Sequence, residues 1–281
     1  MLIDPIKLDI QGKLRRTLPE FFELLDGNEL NWDEIHKCFA SRGNQYHKKF
    51  EETGETFRIE ASLYNIITAS INGEHDALRM YDFMKALFLN LTAKTTSDEK
   101  KYLTDALYGL LTNVDAKYRN HLGELAVLNK LKNEWPVTLL QTERPLILSE
   151  PKGPKIDFHL LNRDTKKEWL VEVVNFTVTE ENTVSDNKLR TFLKRKIKQK
   201  LSDTGIAKSK EFQLSPVVWG NWDKIKILAD YYEHYQPKFE NTLIPCTFVP
   251  FTDSMDQPVY RFGSIDTIFQ NSTVLTSDKN G

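Results

Sequence analysis

Asp157 and Glu172 are two carboxylates that a short hairpin sets face to face, an arrangement suited to sharing a proton, a basic neighbour or a divalent cation. KIDFHLL (Lys155 to Leu161) and EWLVEVVNF (Glu168 to Phe176) are rich in β-branched and aromatic residues and are predicted as strands, with the polar NRDTKK between them as a turn. If the hairpin is symmetric about Asp164 and Thr165, facing residues have numbers that sum to 329, and Asp157 then opposes Glu172. Directly opposed Cβ atoms lie about 4.5–5.5 Å apart, so two like charges placed this way need compensation.

Strand alternation gives the hairpin an apolar face of Ile156, Phe158, Leu160, Trp169, Val171 and Val173. The other face mixes Asp157, His159 and Glu172 with Leu161, Leu170, Val174 and Phe176, so the acids lie among apolar groups. His159 is read as a structural hydrogen-bonding residue, with a metal neighbour or proton carrier as its functional alternative.

A helix is predicted just upstream, over YRNHLGELAVLNKLKNEW (Tyr118 to Trp135). At about 100° per residue, Glu124 falls within the stripe formed by Leu125, Val127, Leu128 and Leu131. Unpaired burial of a carboxylate is costly, so Glu124 is expected to be ion-paired, hydrogen-bonded or part of a site.

This order of elements resembles the PD-(D/E)XK, or restriction-endonuclease-like, nuclease superfamily, over about residues 118–220. The acid-bearing helix is followed by a strand around Val137 to Leu148, the Asp157 strand, the Glu172 strand, a helix over DNKLRTFLKRKIKQKLSD and a strand at SPVVWG. The resemblance implies an α/β (α+β) core of order α-β-β-β-α-β and Mg²⁺-dependent (or Mn²⁺-dependent) hydrolysis of phosphodiester bonds. Asp157, Glu172 and the main-chain carbonyl of Val173 would be the metal ligands, with Glu124 acting through water or on a second metal. Hard oxygen ligands suit that ion, which polarises a phosphoryl oxygen.

The chain departs from the family pattern at Val174, where the family has a lysine that balances charge in the transition state. Lys155 faces Val174 in the same register and is the first candidate to supply the missing cation, with Lys188 and Lys196 as alternatives. The same departure supports a second reading, a catalytically silent module that binds nucleic acid or a protein partner. A retaining glycosidase would also suit opposed carboxylates, but it leaves the basic helix without a purpose.

That helix carries seven basic residues among the thirteen from Lys188 to Lys200, with no acid between them. Lys188, Arg190, Lys194, Arg195 and Lys198 are the candidates for contacts to phosphates, with DNA expected before RNA as the polymer. The apolar side formed by Leu189, Phe192, Leu193, Ile197 and Leu201 is expected to dock on the sheet.

Composition sets outer bounds. Thirty-eight basic against 40 acidic residues give a net charge of −2, which excludes a dedicated basic coat protein and leaves room for a local patch. No apolar run is long enough for a membrane span, MLIDPIKLDI lacks a signal-peptide pattern, and the two cysteines, Cys38 and Cys246, form no metal or redox motif. A cytoplasmic protein is expected. Residues 1–117 read as a helical N-terminal domain and 118–281 as the nuclease-like domain. For the first domain, substrate recognition, cover of the site and assembly of a homodimer all stay open.

Overall fold

The computed structural model describes residues 4, 8–54, 63–73, 75–113, 117–145, 155–204, 212–220, 222–235, 246–252 and 258–264. The chain divides into two compact units, Met1–Leu125 and Ala126–Gly281, and the division falls inside a single helix.

The first unit is helical: α1 (Ile10–Thr17), α2 (Pro19–Leu25), α3 (Trp32–Thr53), α4 (Leu63–Ile71), α5 (His75–Lys94), α6 (Ser97–Lys100), a 3₁₀ turn at Lys101–Leu103 and α7 (Thr104–Thr112), then the start of α8 (Tyr118–Glu134). Local chemistry starts these helices. The Asp9 carboxylate accepts the Gly12 N–H at the head of α1, Asn31 accepts the Glu34 N–H at the head of α3, and Thr96 with Glu99 forms a reciprocal capping box at α6. Leu14, Phe21, Leu24, Met84, Phe88, Leu91 and Leu107 are fully buried in this unit, with Phe21 edge-to-face on Phe88.

The second unit is a mixed six-stranded sheet in the order β1-β2-β3-β4-β5-β6, with helices in its connections. The strands are β1 (Val137–Pro145), β2 (Lys155–Asn162), β3 (Glu168–Thr177), β4 (Phe212–Trp219), β5 (Cys246–Thr252) and β6 (Pro258–Ser264). β1, β2 and β3 form an antiparallel meander. The chain then crosses through α9 (Glu180–Thr183) and α10 (Asp186–Thr204), so that β4 lies parallel to β3. α11 (Trp222–Tyr235) precedes the second parallel strand, β5, and β6 returns antiparallel. A parallel neighbour needs a crossover of a dozen or more residues, which the α9–α10 segment provides.

Asn162 fixes the hairpin. Its side-chain oxygen accepts the N–H groups of Asp164 and Thr165 at 3.0 Å each, and its own N–H donates to the Lys167 carbonyl. Lys166 takes the left-handed conformation, φ 58°, that the turn requires. The pairs that follow, from Leu161 with Glu168 to Phe158 with Val171, keep the expected sum of 329.

β3 is buried on both faces, and its Val174 and Phe176 pack with Leu189, Leu193 and Ile197 of α10 and with Ile225 and Leu228 of α11. Each such aliphatic side chain stabilises the fold by about 1.5–3 kcal/mol. Ile156 corrects the sequence reading: it belongs to this same cluster rather than to the opposite face. Ile156 stays paired with Arg144 of β1, but it lies beyond the last β2–β3 pair, Phe158 with Val171, so β3 no longer holds it to the alternation of the hairpin. β1 reaches Pro145, and the rest of the strand expected to Leu148 lies outside the described residues. Among the described residues, no helix is long and apolar enough to cross a membrane.

Candidate active site

Beyond the last paired residues of the hairpin, the two acids themselves link the strands. The Asp157 N–H donates to Glu172 Oε2 at 3.3 Å, and the Val173 N–H donates to Asp157 Oδ2 at 2.6 Å. Each carboxylate therefore bonds to the backbone of the other's strand. Glu172 is 2% exposed and Asp157 is half-buried. A charge as deep as Glu172 requires a partner.

That partner is Lys200 of α10, whose ammonium donates to Glu172 Oε1. Its side chain is 38% exposed, so it spans from solvent to the buried carboxylate. Counted as ionised groups, two carboxylates and one ammonium carry a net charge of −1, held between two strands and a helix. Val174, where the family pattern has lysine, is 2% exposed and packs against α10. A cation from the neighbouring helix thus stands at an acid whose own strand offers an apolar residue.

The sequence reading did not single out Lys200. Lys155, its first candidate, is exposed at the first position of β2, paired in register with Pro145. Lys188 is exposed and Lys196 half-buried. A signal was present: at about 100° per residue, position 200 lies about 20° from Leu189, inside the stripe that docks α10.

Glu124 lies on α8 within the first unit, half-buried, with Oε2 3.3 Å from His121 Nδ1. Gly109 makes room for that histidine, since a Cβ at residue 109 would fall 2.3 Å from His121 Nε2. The expected compensation of Glu124 is supplied by this imidazole contact. The structure brings Asp157, Glu172, the Val173 backbone and Lys200 together in the second unit, and Glu124 belongs to the other.

His159, two residues along β2 from Asp157, is 8% exposed and lies in a three-strand cluster. Its Nε2 is 2.7 Å from Glu168 Oε2 and 3.0 Å from Arg144 Nη1, with the arginine 3.8 Å from the same glutamate oxygen. A single ring nitrogen cannot both donate to Glu168 and accept from Arg144, and the shorter contact suits an Nε2–H donor to the carboxylate. The cluster ties β1, β2 and β3 together, as the structural reading of His159 required.

Lys188, Arg190, Lys194, Arg195 and Lys198 are all exposed on α10. Among the described residues, no group of three or more His, Cys, Asp or Glu side chains is placed to hold a metal ion. Magnesium keeps several waters and is commonly held by one or two carboxylates together with substrate phosphates, so the donor chemistry of the strand pair fits it. No protein-family model matches the chain, and no curated protein or solved structure is significantly similar to it.

Proposed function

We propose that this chain is a Mg²⁺-dependent nuclease of the PD-(D/E)XK type, cleaving phosphodiester bonds of nucleic acid, DNA before RNA. The observation that carries this reading is the Lys200 ammonium bonded to buried Glu172 beside Asp157, which supplies from a helix the cation absent at position 174. The order α8, β1, β2, β3, α10, β4 supports the α-β-β-β-α-β core of that family.

In this reading Asp157, Glu172 and the Val173 carbonyl hold the ion, which supplies Lewis-acid polarisation of a phosphoryl oxygen. Lys200 orients the attacking water and offsets charge that develops on the phosphate oxygens. Val173 and Asp157 backbone N–H groups fix the two carboxylates, so little reorganisation accompanies the reaction. Glu124, bonded to His121, is not needed for this chemistry. Exposed cations of α10, Lys188 and Arg195 among them, add sequence-independent, salt-sensitive affinity.

The second reading, a silent module that binds nucleic acid or a protein partner, is favoured by the depth of Glu172 and by its bonds to Lys200 and the Asp157 N–H, since an inert scaffold would satisfy a buried acid in the same way. Incubation of the purified protein with single- and double-stranded DNA and RNA, in Mg²⁺, Mn²⁺ or chelator, separates the two. Metal-dependent cleavage is expected, reduced at least about 100-fold in Asp157→Asn and in Lys200→Met. Absence of metal-dependent cleavage on every substrate would leave the silent module.

A further inference from the structure

Two of the five exposed cations of α10, Lys188 and Arg195, line a groove between α9 and α10 with a volume of about 400 Å³. Thr191 lies between them on the same face, Asn187 adds an amide, and Phe192 also lines the groove. The spacing of three and four residues from Lys188 to Thr191 to Arg195 is what places them together. Phe192 packs edge-to-face on Phe176 of β3, with ring centroids 5.8 Å apart, which anchors this side of the groove to the sheet. Arg190 and Lys194 carry equal charge on the same helix but do not belong to the lining; they project about 200° and 240° around the axis from Lys188.

Glu181 is also part of the lining, so its charged side chains sum to +1. That balance suits a singly charged phosphodiester better than a doubly charged terminal phosphate. At about 1.5 Å rise per residue, Arg195 and Lys188 stand about 7.5 Å and 18 Å along α10 from Lys200. With about 3.4 Å between phosphates of one strand along a duplex axis, this is about two to five nucleotides from the acid pair.

We propose that the α9–α10 groove holds the phosphodiester backbone of one nucleic-acid strand on the uncut flank, with Lys188 and Arg195 on phosphate oxygens and Thr191 and Asn187 donating hydrogen bonds. This deepens the nuclease reading and rests on it for the position of the bond to be cut. It also narrows the basic face: Arg190 and Lys194 are assigned to solvent.

The test uses the full chain with a fluorescein-labelled, mixed-sequence DNA single strand in chelator, followed by anisotropy over a series of salt concentrations. K188Q/R195Q is expected to bind at least about tenfold more weakly, with a log K against log salt slope smaller by about two contacts. R190Q/K194Q, which removes the same charge outside the groove, is expected to lose at most about threefold, and E181Q to bind about two- to threefold more tightly. All these positions are exposed, and an unchanged thermal melt verifies that each variant is folded. Equal loss in the two double variants, or no tightening in E181Q, would overturn the groove. A failed cleavage assay alongside selective loss in K188Q/R195Q would overturn the nuclease reading and leave the groove standing.

Discussion

Removing the Lys200 ammonium leaves Glu172 as a carboxylate at 2% exposure with its cation gone. Breaking a fully buried pair costs about 3–5 kcal/mol; Lys200 is itself 38% exposed, so Lys200→Ala is expected to cost about 2–3 kcal/mol. Glu172→Gln in the same background should recover most of that loss, because a neutral amide tolerates the site without a cation. Urea denaturation of the two single variants and the double variant measures the coupling, and simple additivity would mean that the contact contributes nothing. The acids were legible in the sequence because strand register is arithmetic: one turn and one symmetric sum oppose residue 157 to residue 172. Lys200 was not, because a lysine in a run of lysines reads as solvated, and only its angle around α10 separates it from Lys194 or Lys198.

At the level of the element, the Arg144, His159 and Glu168 cluster clamps the three antiparallel strands on which the acids stand. His159→Ala is expected to destabilise the second unit by about 1–3 kcal/mol, since it removes the bond from Nε2–H to Glu168 and the packing of a buried ring between three strands. A melting temperature equal to that of the unaltered chain would remove the clamp from the account. In the first unit, Asp26 ends α2 in a left-handed conformation, φ 52°. The Ser97 hydroxyl bonded to it, and then Lys100, hold its carboxyl below the ordinary carboxylate range. A depressed folded pKa contributes stability that is present above the unfolded value and is lost as pH falls through the folded one. Asp26→Asn should therefore show a smaller drop in melting temperature between about pH 6 and about pH 3, and an equal drop would contradict it. Helices and the hairpin could be read from periodicity, whereas the parallel pairing of β3 with β4 could not, because it is set by the docking of α10 and not by any local pattern. Ile156 was misassigned for a related reason: alternation predicts a face shared with β3 only as far as the β2–β3 ladder runs, and that ladder ends at Phe158 and Val171.

For the whole molecule, the α-β-β-β-α-β order was visible as a succession of periodicities, while the extent of each unit depends on packing that no single segment carries. The division at Leu125 and Ala126 cuts α8, whose remaining Ala126–Glu134 portion is shorter than the about 12–15 residues at which an isolated helix becomes marginal. A fragment beginning at Lys117 is therefore expected to melt at a higher temperature, with more helix by circular dichroism, than one beginning at Ala126; identical melts would show that the first two turns add nothing. In the nuclease reading, a net charge of −2 leaves attraction to a polyanion to the local cations of α10, and the affinity of the whole chain is then expected to fall steeply between about 50 and 200 mM salt. Lys200 lies 28 residues beyond Glu172 in the order of synthesis. A chain that ends anywhere from Val173 to Gln199 thus carries both carboxylates and lacks the ammonium bonded to Glu172.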